Sequence, residues 1–142
     1  MLPRLWTDPE RLPLGVGIDL VTVSELRRLD ERTGGVMVRR TFTPAEQQDA
    51  SQAPDYWVFL AGRYAVKEAV FKALGHLSAR KTFDYRKVET RPDPDGSPHV
   101  TLTEELSALL AEAGADTILI SITNEGDYAM ALAQVSTKRN RP

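Results

Sequence analysis

The stretch from Phe59 to Gly75, FLAGRYAVKEAVFKALG, decides how the rest of this chain is read. Its apolar spacing predicts a helix. At about 100° per residue, Glu68 falls near the middle of a stripe made by Trp57, Ala61, Tyr64, Phe71, Lys72 and Gly75. A carboxylate is therefore aimed where a core residue belongs, and burying it ionised and unpaired would cost several kcal/mol. It needs a cation, a metal or an upward pKa shift. Pro54-Asp55 opens this helix, with Asp55 as N-cap, and Gly75 closes it.

Upstream, residues 1–13 carry prolines and no period, so an irregular arm is expected there. From Leu14 to Val21 the pattern is that of a strand. Leu14, Val16, Ile18 and Leu20 share one face, while Gly15, Gly17, Asp19 and Val21 share the other. Asp19 thus stands on a face cleared by glycines, which in a strand mark either a bulge or the close approach of a ligand or another backbone. Thr22-Val23-Ser24-Glu25 has the form of a capping box and predicts a helix from Val23 to about Arg32, ended by Gly34-Gly35. Thr43-Pro44-Ala45-Glu46 repeats the signal and predicts a second, short helix to about Ser51.

Downstream of the long helix, Phe83–Thr90 reads as a strand, Arg91–Pro98 as turn, and His99–Leu102 as a short returning strand. Thr103 caps a helix that turns Leu106, Leu109 and Leu110 inward and stops at Gly114. Ile118, Ile120 and Ile122 alternate into the turn Asn124-Glu125-Gly126-Asp127, and Tyr128–Val135 returns as the second arm of a hairpin. That arm is apolar on both faces, which predicts burial against helices or another subunit. The expected organisation is one domain over 14–135 with a loose basic tail over 136–142.

The whole chain has 142 residues, 42% hydrophobic and 27% charged, enough for one domain with a core. It has no cysteine, which excludes disulfides and thiolate metal sites and favours hard ions such as magnesium. A formal net charge of −2 gives no global signal for nucleic acid. No run approaches the ~18 apolar residues of a membrane span, and the first residues lack a signal-peptide core. A soluble, cytoplasmic protein is expected. Arg27, Arg28, Arg32, Arg39 and Arg40 cluster in the sequence, either as a solvated face or as a docking patch for an acidic partner.

Phosphate-loop, dinucleotide, zinc-protease and nucleophile-elbow motifs are all missing. His76 and His99 sit beside a helix end and a turn, as ordinary surface residues would. What remains is Asp19, Glu68 and the neighbouring Lys67 and Lys72. Lys72 lies four residues beyond Glu68, in the favourable order for a helical ion pair. The same residues suit a magnesium ion held by Asp19 and Glu68, with lysines neutralising substrate phosphates. Residue chemistry alone leaves both readings open.

Four blocks, GVGIDLVTVSELRRL, FLAGRYAVKEAVFKALG, DPDGSPHVTL and ISITNEGDYAMALAQV, stand in an order and spacing that closely resemble the small holo-acyl-carrier-protein synthases, the 4′-phosphopantetheinyl transferases. The likeness runs from about Leu14 to Val135. Its signature, an aromatic followed by x-x-K-E-[AS]-x-x-K, is met by Tyr64, Lys67, Glu68, Ala69 and Lys72, and G-[IV]-D by Gly17, Ile18 and Asp19. The resemblance implies an α+β fold with a long central helix on antiparallel strands and a C-terminal hairpin. It implies a magnesium-dependent enzyme that moves the phosphopantetheine arm of coenzyme A onto a serine of an apo acyl carrier protein and releases adenosine 3′,5′-bisphosphate.

By the same likeness Asp19 and Glu68 would hold the metal, and Lys72 would contact the phosphoryl group. Arg63 and Lys67 would bind phosphates, with Gly75 and Asn124 near coenzyme A. Arg27, Arg28 and Arg32 would dock the acidic carrier, and a homotrimer with sites between subunits is implied. Two departures stand out. Asn124 replaces a histidine common in the family, which leaves a metal-bound water, Glu125 or Lys72 as the base, and Gly75-His76-Leu77 replaces the common G-T-G. They motivate a second reading, a non-catalytic relative that binds coenzyme A or a carrier as an assembly or regulatory module. Whether the carrier serves fatty-acid or polyketide synthesis is not encoded in these motifs.

Overall fold

A computed structural model describes residues 11–75 and 84–138 of the protein. Its main sheet is antiparallel, in the order β1-β5-β4, from β1 (Arg11–Thr22), β4 (Thr117–Glu125) and β5 (Tyr128–Lys138). A second hairpin pairs β2 (Thr90–Pro92) with β3 (Pro98–Val100). Among the described residues five α-helices accompany them: α1 (Val23–Arg32), α2 (Val36–Thr41), α3 (Pro44–Ser51), α4 (Tyr56–Gly75) and α5 (Glu104–Glu112). This is the α+β arrangement expected.

Helix α4 lies across the main sheet, and small residues set the distance. Ala61, Ala65, Ala69 and Ala73 of the helix and Ala129, Ala131 and Ala133 of β5 are all buried. A Cβ placed on Gly17 would overlap the Ala69 carbonyl oxygen and lie 2.9 Å from the Ala73 amide nitrogen. The strand glycine therefore admits a second backbone, one of the alternatives the sequence left open. Asp55 caps α4 as expected, its Oδ1 accepting from the Trp57 and Val58 amides, both at 3.1 Å.

The buried side of α4 differs from the stripe the sequence suggested. Leu60, Val66, Lys67, Val70 and Leu74 are in the core, whereas Glu68 lies on the flank, half-buried with Tyr64 and Phe71. The charge carried into the core is Lys67. A helix covered on more than one side is apolar nearly all round, so its period points only weakly.

Other boundaries also moved. Strand β1 begins at Arg11, and β5 continues to Lys138, because Arg11, Leu12 and Pro13 pair with Lys138, Thr137 and Ser136. The loose arm and tail expected there are thus partly a sheet edge. The Thr22 capping box does not form: Thr22 is the N-cap of α1 but makes no side-chain cap bond. Asp127 in the β4–β5 turn takes its place, its carbonyl accepting from the Val23 amide at 2.8 Å and its Oδ1 from the Ser24 amide at 3.0 Å. By contrast, both halves of the Thr43/Glu46 box at α3 are present.

Helix α2 was not anticipated. Its first amides are satisfied by the preceding segment, Met37 by Thr33 Oγ1 at 3.1 Å and Val38 by Asp30 Oδ1 at 3.0 Å, after Gly35 turns the chain at φ 84°. The strand expected over Phe83–Thr90 is instead a 3-10 turn at Tyr85–Lys87 followed by β2, and Phe83 lies outside the described residues. The turn is capped by Asp84, whose Oδ1 accepts from the Arg86 amide at 3.0 Å. Thr103 caps α5 as expected, accepting from the Leu106 amide at 3.1 Å.

The outer face of the sheet is apolar. Val16, Ile18 and Leu20 are 60%, 55% and 62% exposed, and Tyr128 and Met130 of β5 are exposed on the same sheet. No described helix is long and apolar enough to cross a membrane.

Candidate active site

A cleft of about 560 Å³ opens where β1 hands over to α1 above the C-terminal half of α4. The strand supplies Asp19 and the first helix Glu25, Leu26, Leu29 and Arg32; α4 contributes Tyr64, Glu68 and Lys72 at helical spacing. The two expected metal ligands, far apart in sequence, thus line one cavity. Lys72 lies at its mouth. Its Nζ donates to Asp19 Oδ1 at 2.9 Å and to the Ile18 carbonyl at 3.0 Å, so the cation pairs with Asp19 rather than forming the i,i+4 pair with Glu68.

Glu68 has a different partner. The Tyr85 hydroxyl donates to Glu68 Oε1 at 2.5 Å, and the Tyr64 and Tyr85 rings pack at a centroid distance of 5.8 Å. Burial, followed by the negative charge of Glu68, pushes the Tyr64 phenol up to about 12. Burial and the hydrogen bond to Glu68 push Tyr85 up as well. Both phenols are neutral donors around pH 7.

Lys67 lies outside this cleft. Expected at a phosphate, it is fully buried about 100° around α4 from Glu68, where its Nζ donates to Glu46 Oε1 at 2.8 Å, to the Tyr85 carbonyl at 2.8 Å and to the Val88 carbonyl at 2.6 Å. All three ammonium hydrogens are used within the core. Burial holds its pKa below the ordinary lysine value, partly offset by Glu46. Glu46 also accepts from the Thr43 amide at 3.0 Å and the Thr90 amide at 3.2 Å.

Arg63 shares that flank, about 140° around the helix from Glu68. Its guanidinium carbon stacks 3.7 Å from the centre of the Phe59 ring, and its buried Nε has no hydrogen-bond partner. Burial lowers its pKa, while Glu46 and Asp49 oppose the shift. Asn124 and Gly75 are not in the Asp19–Glu68 cleft. Asn124 lines a separate hollow with Leu20, Glu125, Asp127, Tyr128 and Met130 at the tip of the last hairpin, and Gly75 is exposed at the end of α4. His76 and Leu77 lie outside the described residues.

Arg27, Arg28 and Arg32 are all exposed on α1, and Arg32 reaches the rim of the cleft. Arg27 is partly engaged by Glu31 at 3.0 Å, a pair open to solvent at both ends. Two residues were not assigned to the site from the sequence: Glu25, which lines the cleft, and Tyr85, which reaches it through Glu68. Glu25 read as a capping residue. Tyr85 lay in a segment read as strand, with no local signal for its contact with Glu68.

A family model described as the 4′-phosphopantetheinyl transferase superfamily matches residues 15–133. The chain is 41% identical over 120 residues to the holo-acyl-carrier-protein synthase of Desulforudis audaxviator, covering 84% of this chain and 90% of that protein. Among solved structures, the holo-acyl-carrier-protein synthase of Neisseria meningitidis gives a TM-score of 0.78 at 30% identity over 87% of this chain and 98% of its own. An ACPS–CoA complex from Chronobacterium ammoniagenes gives 0.74 at 29% identity, over 88% and 98%. The α+β fold, the shared signature residues and these likenesses agree: the chain belongs to the holo-acyl-carrier-protein synthase family of the 4′-phosphopantetheinyl transferase superfamily.

Proposed function

We propose that the protein transfers the 4′-phosphopantetheine arm of coenzyme A to a serine of an apo acyl carrier protein, with magnesium, releasing adenosine 3′,5′-bisphosphate. The observation that carries this reading is the meeting of Asp19 and Glu68 in one cleft, rimmed by Lys72 and Arg32. The donor set fits magnesium: two hard carboxylates, and among the described residues no group of three metal-ligating side chains. Magnesium favours such sparse protein ligation, completed by water and substrate phosphate. Asp19 and Glu68 would hold it, and the ion would supply charge neutralisation at the transferring phosphoryl group.

The chain's own residues do the positioning. Lys72 is half-exposed and can exchange Asp19 for a phosphoryl oxygen, adding charge where phosphoryl transfer needs it. A phosphate role for Arg63 rests on the family likeness, its guanidinium here stacking on Phe59. Asn124 at neutral pH holds substrate by hydrogen bonds but accepts no proton, which leaves Lys72 or Glu125 as protein bases. The exposed arginines of α1 suit an acidic carrier, where opposite charge accelerates encounter and sets orientation. The apolar outer face of the sheet supports self-association, in a homotrimer whose neighbouring subunits complete each site.

The test is incubation with apo carrier protein, coenzyme A and magnesium, followed by intact-mass measurement. The carrier should gain one phosphopantetheine arm. Glu68→Gln should abolish transfer while leaving the fold intact, and full activity in that variant would refute the metal assignment. Coenzyme A binding without transfer to any of several carriers would favour the binding-module reading.

A further inference from the structure

A glutamate in the middle of a helix has three rotatable side-chain bonds, so a metal ligand at Glu68 needs something to fix it. Its neighbour Tyr64 rises from the same helix and moves with it. Tyr85 does not: it projects from the 3-10 turn on the far side of the α4 flank and donates its hydroxyl to Glu68 Oε1. That turn is itself held in place. Lys67 Nζ grips the carbonyls of Tyr85 and Val88 at its two ends, and the Asp84 side chain caps its start.

We propose that Tyr85 is a positioning residue for the metal site, its hydroxyl holding Glu68 by Oε1 and so fixing the orientation of the carboxylate that would ligate the ion. The inference rests on the proposed role of Glu68 as a metal ligand and adds the residue that orients it. Hydrogen-bond partners of ligating side chains typically carry 10–100-fold in metal affinity. The core pair Lys67–Glu46 then has a use beyond stability. It anchors the turn from which Tyr85 reaches the ligand, so a buried ion pair sets the geometry of the carboxylate on the adjoining face of α4.

Mn²⁺ is a suitable probe, followed by electron paramagnetic resonance in the presence of saturating coenzyme A. Tyr85→Phe keeps the ring and the backbone of the turn and removes only the donor. It should weaken Mn²⁺ binding about 10-fold, with the melting temperature of the metal-free protein close to wild type. Glu68→Gln should weaken binding further. Wild-type Mn²⁺ affinity in Tyr85→Phe, alongside weakened binding in Glu68→Gln, would overturn the clamp and leave the metal site standing. Wild-type affinity in both variants would overturn the metal assignment and the clamp with it.

Discussion

Replacing Lys67 with methionine removes one ammonium and leaves three acceptors facing a thioether: Glu46 Oε1 and the carbonyls of Tyr85 and Val88. Glu46 keeps the Thr43 and Thr90 amides, so its charge is not wholly abandoned. Breaking a buried ion pair by removing one partner costs about 3–5 kcal/mol, and each carbonyl stripped of its donor about 1–3. These penalties overlap at one site, and methionine refills the volume, so we expect about 4 kcal/mol in all. With each kcal/mol worth roughly 3–4 °C in a domain of this size, the melting temperature should fall by roughly 15 °C.

Urea unfolding followed by circular dichroism reads the loss directly. Adding Glu46→Gln to Lys67→Met removes the stranded charge and should recover part of it, a positive coupling in a double-mutant cycle. Steady-state kinetics below the unfolding transition supply the second half of the test. A core lysine predicts the stability loss itself, and any rise in the Michaelis constant for coenzyme A should come together with that loss, through the turn that carries Tyr85. A variant as stable as the parent, but with that constant raised several-fold, would refute the burial and return Lys67 to the phosphates.

Gly17→Ala forces a methyl group into the backbone of α4, where neither Ala69 nor Ala73 can yield, and should cost about 3 kcal/mol, at the upper end for overpacking; a midpoint in urea equal to wild type would contradict the close approach. Asp127→Ala strips the side-chain cap from α1 and should cost about 1–2 kcal/mol, with faster hydrogen exchange at the Ser24 amide as its local sign. Ile18→Glu places a charge in the middle of the exposed apolar strip; if the proposed trimer forms through that face, native mass spectrometry should show wild type as a trimer and the variant as a monomer. Arg27→Glu with Arg28→Glu should raise the Michaelis constant for carrier protein with coenzyme A kinetics unchanged, and unaltered carrier kinetics at low salt would sink the docking role of α1.

Elements specified by neighbours in sequence were legible before the structure. Helix α3 carries its own capping box, and both bonds formed. The β4–β5 hairpin announces itself by alternation and by the residues of its turn. The α1 cap misled because Thr22 closes β1 and pairs with Tyr128, so the sheet sets its orientation while Asp127 arrives from across the fold. Lys67 and Glu68 are adjacent and only about 100° apart on a helix wrapped by other elements. Which of them enters the core depends on α3 and the 3-10 turn, and no window of sequence around α4 contains either. Residue chemistry paired Asp19 and Glu68 only as one of two open readings, the family likeness favoured it, and Tyr85 could not be attached to them at all.

Strand β1 has a single partner in its sheet, β5, the last strand described, and α1 borrows its cap from the turn just before that strand. During synthesis, therefore, β1 and α1 emerge before α2 to β4 and wait for all of them before either can be completed. Closing so long a loop adds only slowly to the entropic cost, but contacts this distant in sequence slow folding and leave sticky segments open in the meantime. For that interval Val16, Ile18 and Leu20 stand on an unpaired strand edge, a natural site for a chaperone or for misassembly between nascent chains. The arrival of Tyr128–Lys138 supplies the strand with which β1 pairs, so the β4–β5 hairpin sets the time at which this sheet can close.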